Sequence, residues 1–471
     1  AYAQGGNAID AAIAAALTLA VVDGHNSGIG GGSFILIHWA DGRVEAIDAR
    51  EMAPAAAHRD MYLRNGKGDI ELSTKGALAI GIPGTIAAFE HLAKTGSELS
   101  YAELLQPAAD LAAQGFPINK VYADRLAESA AEIRKFPASA KILLDPKGEP
   151  WPLGHHLVQT DLAKTLRAIA KEGADHFYKG DFAMATAQWM SANGGIVTAK
   201  DFANYQWRKR APVQSQYRDY TVYGFPPPSS GGVHVAQILN ILEHFDLANM
   251  KEADRIHVQG EAMKQAFADR AHWLGDPDFA PVPKGLIDKS YAAQLADKIS
   301  VKNRLKNITH GQPPRATLDT FGKHTTHIAA ADNAGNWVAI TTTVNTDFGS
   351  YVTIPGTGVI MNNQMDDFAI QPGLANSYGL LGTEANSVQP RKRPLSSMSP
   401  TIVMKGDKPV MTVGAAGGSM IITEVVLALV NTLDLGMPLY DALAAPKVHH
   451  QWRPDVIVLE APVSAAISKN T

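Results

Sequence analysis

Threonine crowds the stretch GKHTTHIAAADNAGNWVAITTTVNTDFG, residues 322–349. The segment has the pattern of two strands joined by a short turn, and Thr325 stands at the start of the first. A threonine hydroxyl is a weak nucleophile without a base beside it. Its own α-amino group, once freed, supplies one, because its pKa of about 7.7–8.0 leaves it partly neutral near pH 8. That chemistry requires cleavage of the peptide bond before the threonine, which the same hydroxyl can perform on the preceding carbonyl. It also requires a strand start behind a soft polar lead-in, and Thr325 behind DTFGKH meets both conditions. The plainer account is that threonine is simply a good strand residue.

Other segments offer further chemistry. In VMTVGAAGGSMIITEVV (410–426) a strand ends, Gly417 and Gly418 follow, and a helix begins near Ser419. Backbone N–H groups at such a helix start suit an oxyanion, although any strand–helix turn has this look. GIGGGS (28–33) resembles a dinucleotide loop in composition, but it follows a helix and opens a strand, the reverse of the required order. A tight backbone turn beside a crowded site is the better account. The doublets His155-His156 and His449-His450 invite a metal, yet neighbours on a strand point to opposite faces and no ligand-spaced motif occurs. No metal or cofactor is expected. The serine pairs in PPPSSGG and RPLSSMSPT lack the nucleophile-elbow pattern and suit binding rather than attack.

The elements that must position these residues are legible in outline. Asn7 can cap an Ala-rich helix over 8–22, which is too short to span a bilayer and carries Asp10. A hairpin turning at Asp41-Gly42 follows. From about 80 to 300 the chain is expected to be mostly helical, with a capping box at Thr198 and a strand at DYTVYGF. Residues 300–323 turn polar and are the best candidate for a cleavable segment. Helices with antiparallel hairpins point to a layered α/β sandwich rather than a doubly wound sheet.

Composition narrows the function classes. The 471 residues are 46% hydrophobic and 19% charged, with a formal net charge of −4 and no cysteine. Disulfides, thiolate catalysis and cysteine-held zinc are excluded, and nucleic acid or an anionic membrane is a poor match as partner.

Taken together, TTHIAAADNAGNWVAITTTVN, NNQMDDFA, RPLSSMSPTIV and GAAGGSMIITEVVLALVN resemble the small subunit of the γ-glutamyltransferases. GGNAIDAAIAA, GIGGGSF, DAREMAP and PPPSSGG are similar to their large subunit, so the likeness covers essentially the whole chain. The resemblance implies an N-terminal-nucleophile hydrolase fold, a four-layer αββα sandwich. It implies a precursor cut between His324 and Thr325, with residues 1–324 as large subunit and 325–471 as small subunit of one intertwined domain. Thr325 would be nucleophile in processing and catalysis, and Thr343 would support its amino group. Arg50, Ser396 and Ser397 would hold the substrate α-carboxylate, while Asn345, Gln364 and Asp367 would receive the α-ammonium. Gly417 and Gly418 would form the oxyanion hole, and Tyr378 would cover the site from a lid loop at 369–386.

The implied reaction is attack on a γ-glutamyl amide such as glutathione, giving an ester released to water or to an amino acid or peptide. A bacterial, periplasmic or secreted setting goes with it, although no signal peptide is recognisable in the chain. Asp347 departs from the family pattern, standing where members often carry a small hydroxyl residue. The alternatives are a cephalosporin- or glutaryl-type acylase of the same fold, which needs no ammonium receptor, and a catalytically silent, unprocessed homologue.

Overall fold

The computed structural model describes residues 1–313, 325–371, 373–377 and 379–460. The first helix, α1 (Ala8–Val22), starts with a capping box. Asn7 accepts from the N–H groups of Ile9 and Asp10, and Asp10 accepts from that of Asn7. This satisfies donors that a first turn leaves open. The expected hairpin follows as β1 (Gly32–His38) and β2 (Val44–Ala49). Next come α2 (Thr85–Thr95), α3 (Tyr101–Gln114), α4 (Lys120–Ile133) and α5 (Thr160–Glu172). Three of these stop at glycines, Gly96, Gly115 and Gly173, as their sequences suggest.

The chain continues through β3 (Arg208–Arg210), β4 (Val213–Tyr217), β5 (Tyr220–Gly224), α6 (Gly231–Leu242) and α7 (Glu252–Trp273). The threonine hairpin is β6 (Thr326–Ala331) and β7 (Trp337–Thr343). Then come β8 (Thr401–Lys405), β9 (Lys408–Val413) and α8 (Met420–Leu433). Strands β3 and β4 lie inside the stretch expected to be mostly helical. β3 is wholly charged and carries no apolar signal. As an edge strand it is held by ion pairs, Lys209 with Glu45 and Arg210 with Asp48.

Contacts divide the chain into two compact units, both discontinuous in sequence. One comprises Ala1–Arg210, His324–Asp366 and Val388–Pro394, and the other Ala211–Lys323, Asp367–Ser387 and Leu395–Thr471. The first contains an antiparallel sheet of order β6-β7-β1-β2-β3. Its central strand β1 is buried at every residue, and α1 lies along β6 and β7 while packing on α3. The second contains the antiparallel sheet β9-β8-β5-β4, with α6 against β4 and β5 and against α7 and α8. Each unit thus joins an antiparallel sheet to a layer of helices, the mixed α/β architecture that the sequence implies.

Candidate active site

Thr326 pairs with Thr342, so Thr325, just before β6, and Thr343, at the end of β7, each stand one residue beyond that pair. Both are buried, at 3% and 1% exposure. The Thr343 hydroxyl accepts the Asn345 N–H at 2.9 Å. Across β7 lies β1, with Gly32 opposite Thr343. A methyl on Gly31 would stand 1.9 Å from the Thr343 carbonyl oxygen, and one on Gly30 would stand 2.1 Å from that of Ile360. GIGGGS is therefore a close-approach loop pressed against the end of β7, which explains its glycines without a dinucleotide.

The chain leaving β7 is pinned by amides. Asn345 takes the left-handed conformation, φ +83°, that asparagine tolerates better than most residues, and its Nδ2 donates to the Asn363 carbonyl. Asn363 donates to Thr74 O and Thr346 Oγ1. Asn362 donates to Gly30 O and Gly81 O, and its Oδ1 accepts from the N–H groups of Gly81 and Gln364. This lacing fixes Gln364 at the head of a short 3-10 turn over Gln364–Asp367. Arg50 follows β2 and is fully buried. Its N–H donates to Asp48, its Nε donates to Pro394 O at 3.0 Å, and Nη1 is 3.6 Å from the Glu51 carboxylate.

Within the second unit the two serine segments run side by side. Ser229 forms a parallel bridge with Ser396, whose N–H donates to Pro228 O and whose carbonyl accepts from Ser230 N–H and Oγ. Ser396 and Ser397 are buried. Behind them, wholly buried Arg270 on α7 donates to Ser230 Oγ and to Ser397 Oγ, each at 2.5 Å. The neighbouring Asp269 accepts from Tyr291 OH, Gly311 N–H and Gln237 Nε2, and Gln237 Oε1 accepts from His234 Nδ1. Burial, opposed by these donors, raises the Asp269 carboxyl above its ordinary range. Burial, helped by the Arg270 charge, pushes His234 down to about 3.

Gly417 and Gly418 lie just before Ser419, the residue preceding the first turn of α8, and have φ +110° and +71°. An L side chain is strained in this region. Ser419 Oγ donates to Gln451 Oε1. Glu424, one turn into α8, has a carboxylate oxygen 4.0 Å from where a Gly417 methyl would be. Burial pushes its carboxyl up to about 7, with Lys447 opposing and Glu460 adding to the shift. Asp367 is buried in the same unit, where its carbonyl accepts from Asn386 Nδ2. His324 and Tyr378 lie outside the described residues.

Sequence reasoning passed over Asp23, Asp269, Arg270 and Glu424. Each is a charged residue whose partners are remote in sequence or buried all round. The doubled histidines are engaged by protein partners. His155 stacks on Trp151 at 3.7 Å, His156 bonds Gln114 O, His449 bonds Thr423, and His450 faces Asp455. Among the described residues no group of three or more His, Asp or Glu is placed to hold an ion.

The γ-glutamyltranspeptidase family model matches residues 2–470. The glutathione hydrolase proenzyme of Escherichia coli is 45% identical over 461 residues, 97% of this chain and 79% of that protein. A cephalosporin acylase from Bacillus halodurans superposes with a TM-score of 0.86 at 27% identity, covering 99% of this chain and 84% of that one. The γ-glutamyltranspeptidase of Helicobacter pylori gives a TM-score of 0.64 at 40% identity, covering 66% and 90%. The fold is that of the N-terminal-nucleophile hydrolases, and the chain belongs to the γ-glutamyltranspeptidase family.

Proposed function

We propose that this protein cleaves itself before Thr325 and then transfers the γ-glutamyl group of glutathione or related amides to water or to an amino-acid or peptide acceptor. The observation that carries this is the buried Thr325 immediately before β6, one residue beyond the pair that Thr326 makes with Thr342, next to buried Thr343 on β7. In the proposed cycle the Thr325 α-amino group takes the hydroxyl proton as Oγ attacks the γ-carbonyl carbon. The oxyanion is received by the N–H groups of Gly417 and Gly418. The amine leaves with the proton returned by the α-ammonium, and an ester joins the γ-glutamyl group to Oγ. Water or an acceptor amine then attacks the ester carbonyl, giving up its proton to the same amine, and frees Oγ.

Arg50, Ser396 and Ser397 would receive the substrate α-carboxylate, and Asn345, Gln364 and Asp367 its α-ammonium. One cation for an anion and one anion for a cation is the pairing that a zwitterionic glutamyl end requires. The two products of cleavage, 1–324 and 325–471, would remain associated as large and small subunits. A periplasmic or secreted location belongs to the same proposal and rests on the family likeness. No helix among the described residues is long and apolar enough to cross a membrane.

The likeness to a cephalosporin acylase supports one rival, a glutaryl or cephalosporin amide as substrate. Paired γ-glutamyl and glutaryl anilides separate the two. A γ-glutamyl preference of about 100-fold is expected, because a site built for an ammonium leaves polar groups unpaired when the ammonium is missing. Equal rates would favour the acylase.

A further inference from the structure

The last turn of α1 holds the nucleophile's strand. Asp23 ends the helix, its N–H donating to Leu19 O at 2.7 Å. Its carboxylate is shared: Oδ2 accepts the Thr326 hydroxyl at 2.7 Å, and Oδ1 accepts Asn26 Nδ2 at 3.1 Å. The next residues extend the grip. Val344 N–H donates to Asn26 O and Phe348 N–H to His25 O. One short turn therefore clasps β6 at its first residue and the chain just past the end of β7.

Among the described residues, His25, Tyr122, Asp347 and Arg125 are the titratable groups around this turn. The His25 ring is 3.5 Å from Asp23 and stands edge-on to Tyr122, and burial lowers its pKa against the opposing charges of Asp23 and Asp347. Asp347, the residue that departs from the family pattern, faces Arg125 at 3.7 Å. The Asp23 carboxylate stands beside Thr326, one residue from the proposed amine base. A hydroxyl bonded to a carboxylate is held about twice as strongly as one bonded to a neutral acceptor.

We infer that Asp23 is a positioning residue for the nucleophile: through the Thr326 hydroxyl it fixes the head of β6, and its charge favours the ammonium form of the Thr325 α-amino group. The inference rests on Thr325 acting through its freed amine. Its two halves separate chemically. Asp23→Asn keeps an acceptor for Thr326 and removes the charge. Thr326→Val keeps the charge and removes the bond, and Thr326→Ser restores the bond.

The test is the pH dependence of kcat for hydrolysis of γ-glutamyl-p-nitroanilide by the processed enzyme and these variants. In Asp23→Asn the acid limb should move down by about 0.5 pH unit or more, since losing a nearby negative charge lowers an amine's pKa. In Thr326→Val kcat should fall about tenfold with the limb unmoved, as expected for a reacting group that is misplaced rather than retitrated. Thr326→Ser should recover most of that loss. An acid limb at the wild-type position in Asp23→Asn, or a wild-type kcat in Thr326→Val, overturns the inference. Turnover by a wild-type chain that remains uncut would overturn the nucleophile assignment instead.

Discussion

Thr325 immediately precedes β6 and Thr343 ends β7, each one residue beyond the Thr326–Thr342 pair. The Thr343 hydroxyl is fixed by the Asn345 N–H, so it cannot drift with its own rotamer. Thr343→Ala should leave the fold intact and lower kcat by about 10- to 100-fold, the scale of a misplaced reacting group. Thr343→Ser should stay close to wild type. Steady-state kinetics on both variants, with thermal unfolding as the control, decides the point.

Arg270 binds two serine hydroxyls from beneath, and Ser397 is one that should meet the substrate carboxylate. Arg270→Lys keeps the charge but loses the planar fork that reaches both oxygens. KM should rise about tenfold, with a smaller change in kcat, because the loss falls on binding rather than on the reacting bond. Ser397→Ala should give the same pattern. A kcat loss at unchanged KM in Ser397→Ala would remove that serine from carboxylate binding.

His234 makes stability sensitive to acid. It is fully buried, its pKa is held at about 3 by burial and the Arg270 charge, and the unfolded chain titrates near the ordinary histidine value. Between those values the unfolded state binds a proton that the folded state refuses. The His234 contribution is complete above about pH 6.5 and shrinks as pH falls toward 3, on the order of 3 kcal/mol by pH 4.5. Denaturant titrations at pH 7.5 and 4.5 should show a smaller drop in His234→Asn than in wild type.

Glu424 acts in the opposite sense. Its folded pKa is raised to about 7, so the folded state keeps a proton that the unfolded chain has already lost. Stability therefore declines as pH rises from about 4.5 to 7 and stays lower above that. Glu424→Gln should raise stability at pH 8 by about 1–3 kcal/mol, a range discounted for partial exposure, and change little at pH 4.5. Melting temperatures at the two pH values test it. A variant equally shifted at both would assign the effect to packing beside Gly417.

Local rules carried the sequence where both partners of an interaction sit close in the chain. The helix cap at Asn7, the capping box at Thr198, the hairpin at Asp41-Gly42 and the glycine helix ends are of this kind. The threonine hairpin and the crowded glycine loop were legible for the same reason, and the family's motifs added the rest of the site as expectations. Asp23 was not legible, because its partner Thr326 lies 303 residues later. Asp269 and Arg270 sit in a helix stretch buried on all faces, where no apolar periodicity marks an inward charge. β3 was missed because three charged residues form a strand only where Glu45 and Asp48 already await them.

The central claim is that Thr325 becomes an N-terminus. Intact-protein mass spectrometry under denaturing conditions, with N-terminal sequencing of the smaller species, addresses it directly. The wild-type chain should give two polypeptides, the smaller beginning at Thr325, while Thr325→Ala remains one chain of 50.2 kDa. A wild-type protein that hydrolyses γ-glutamyl amides as a single uncut chain would contradict the account.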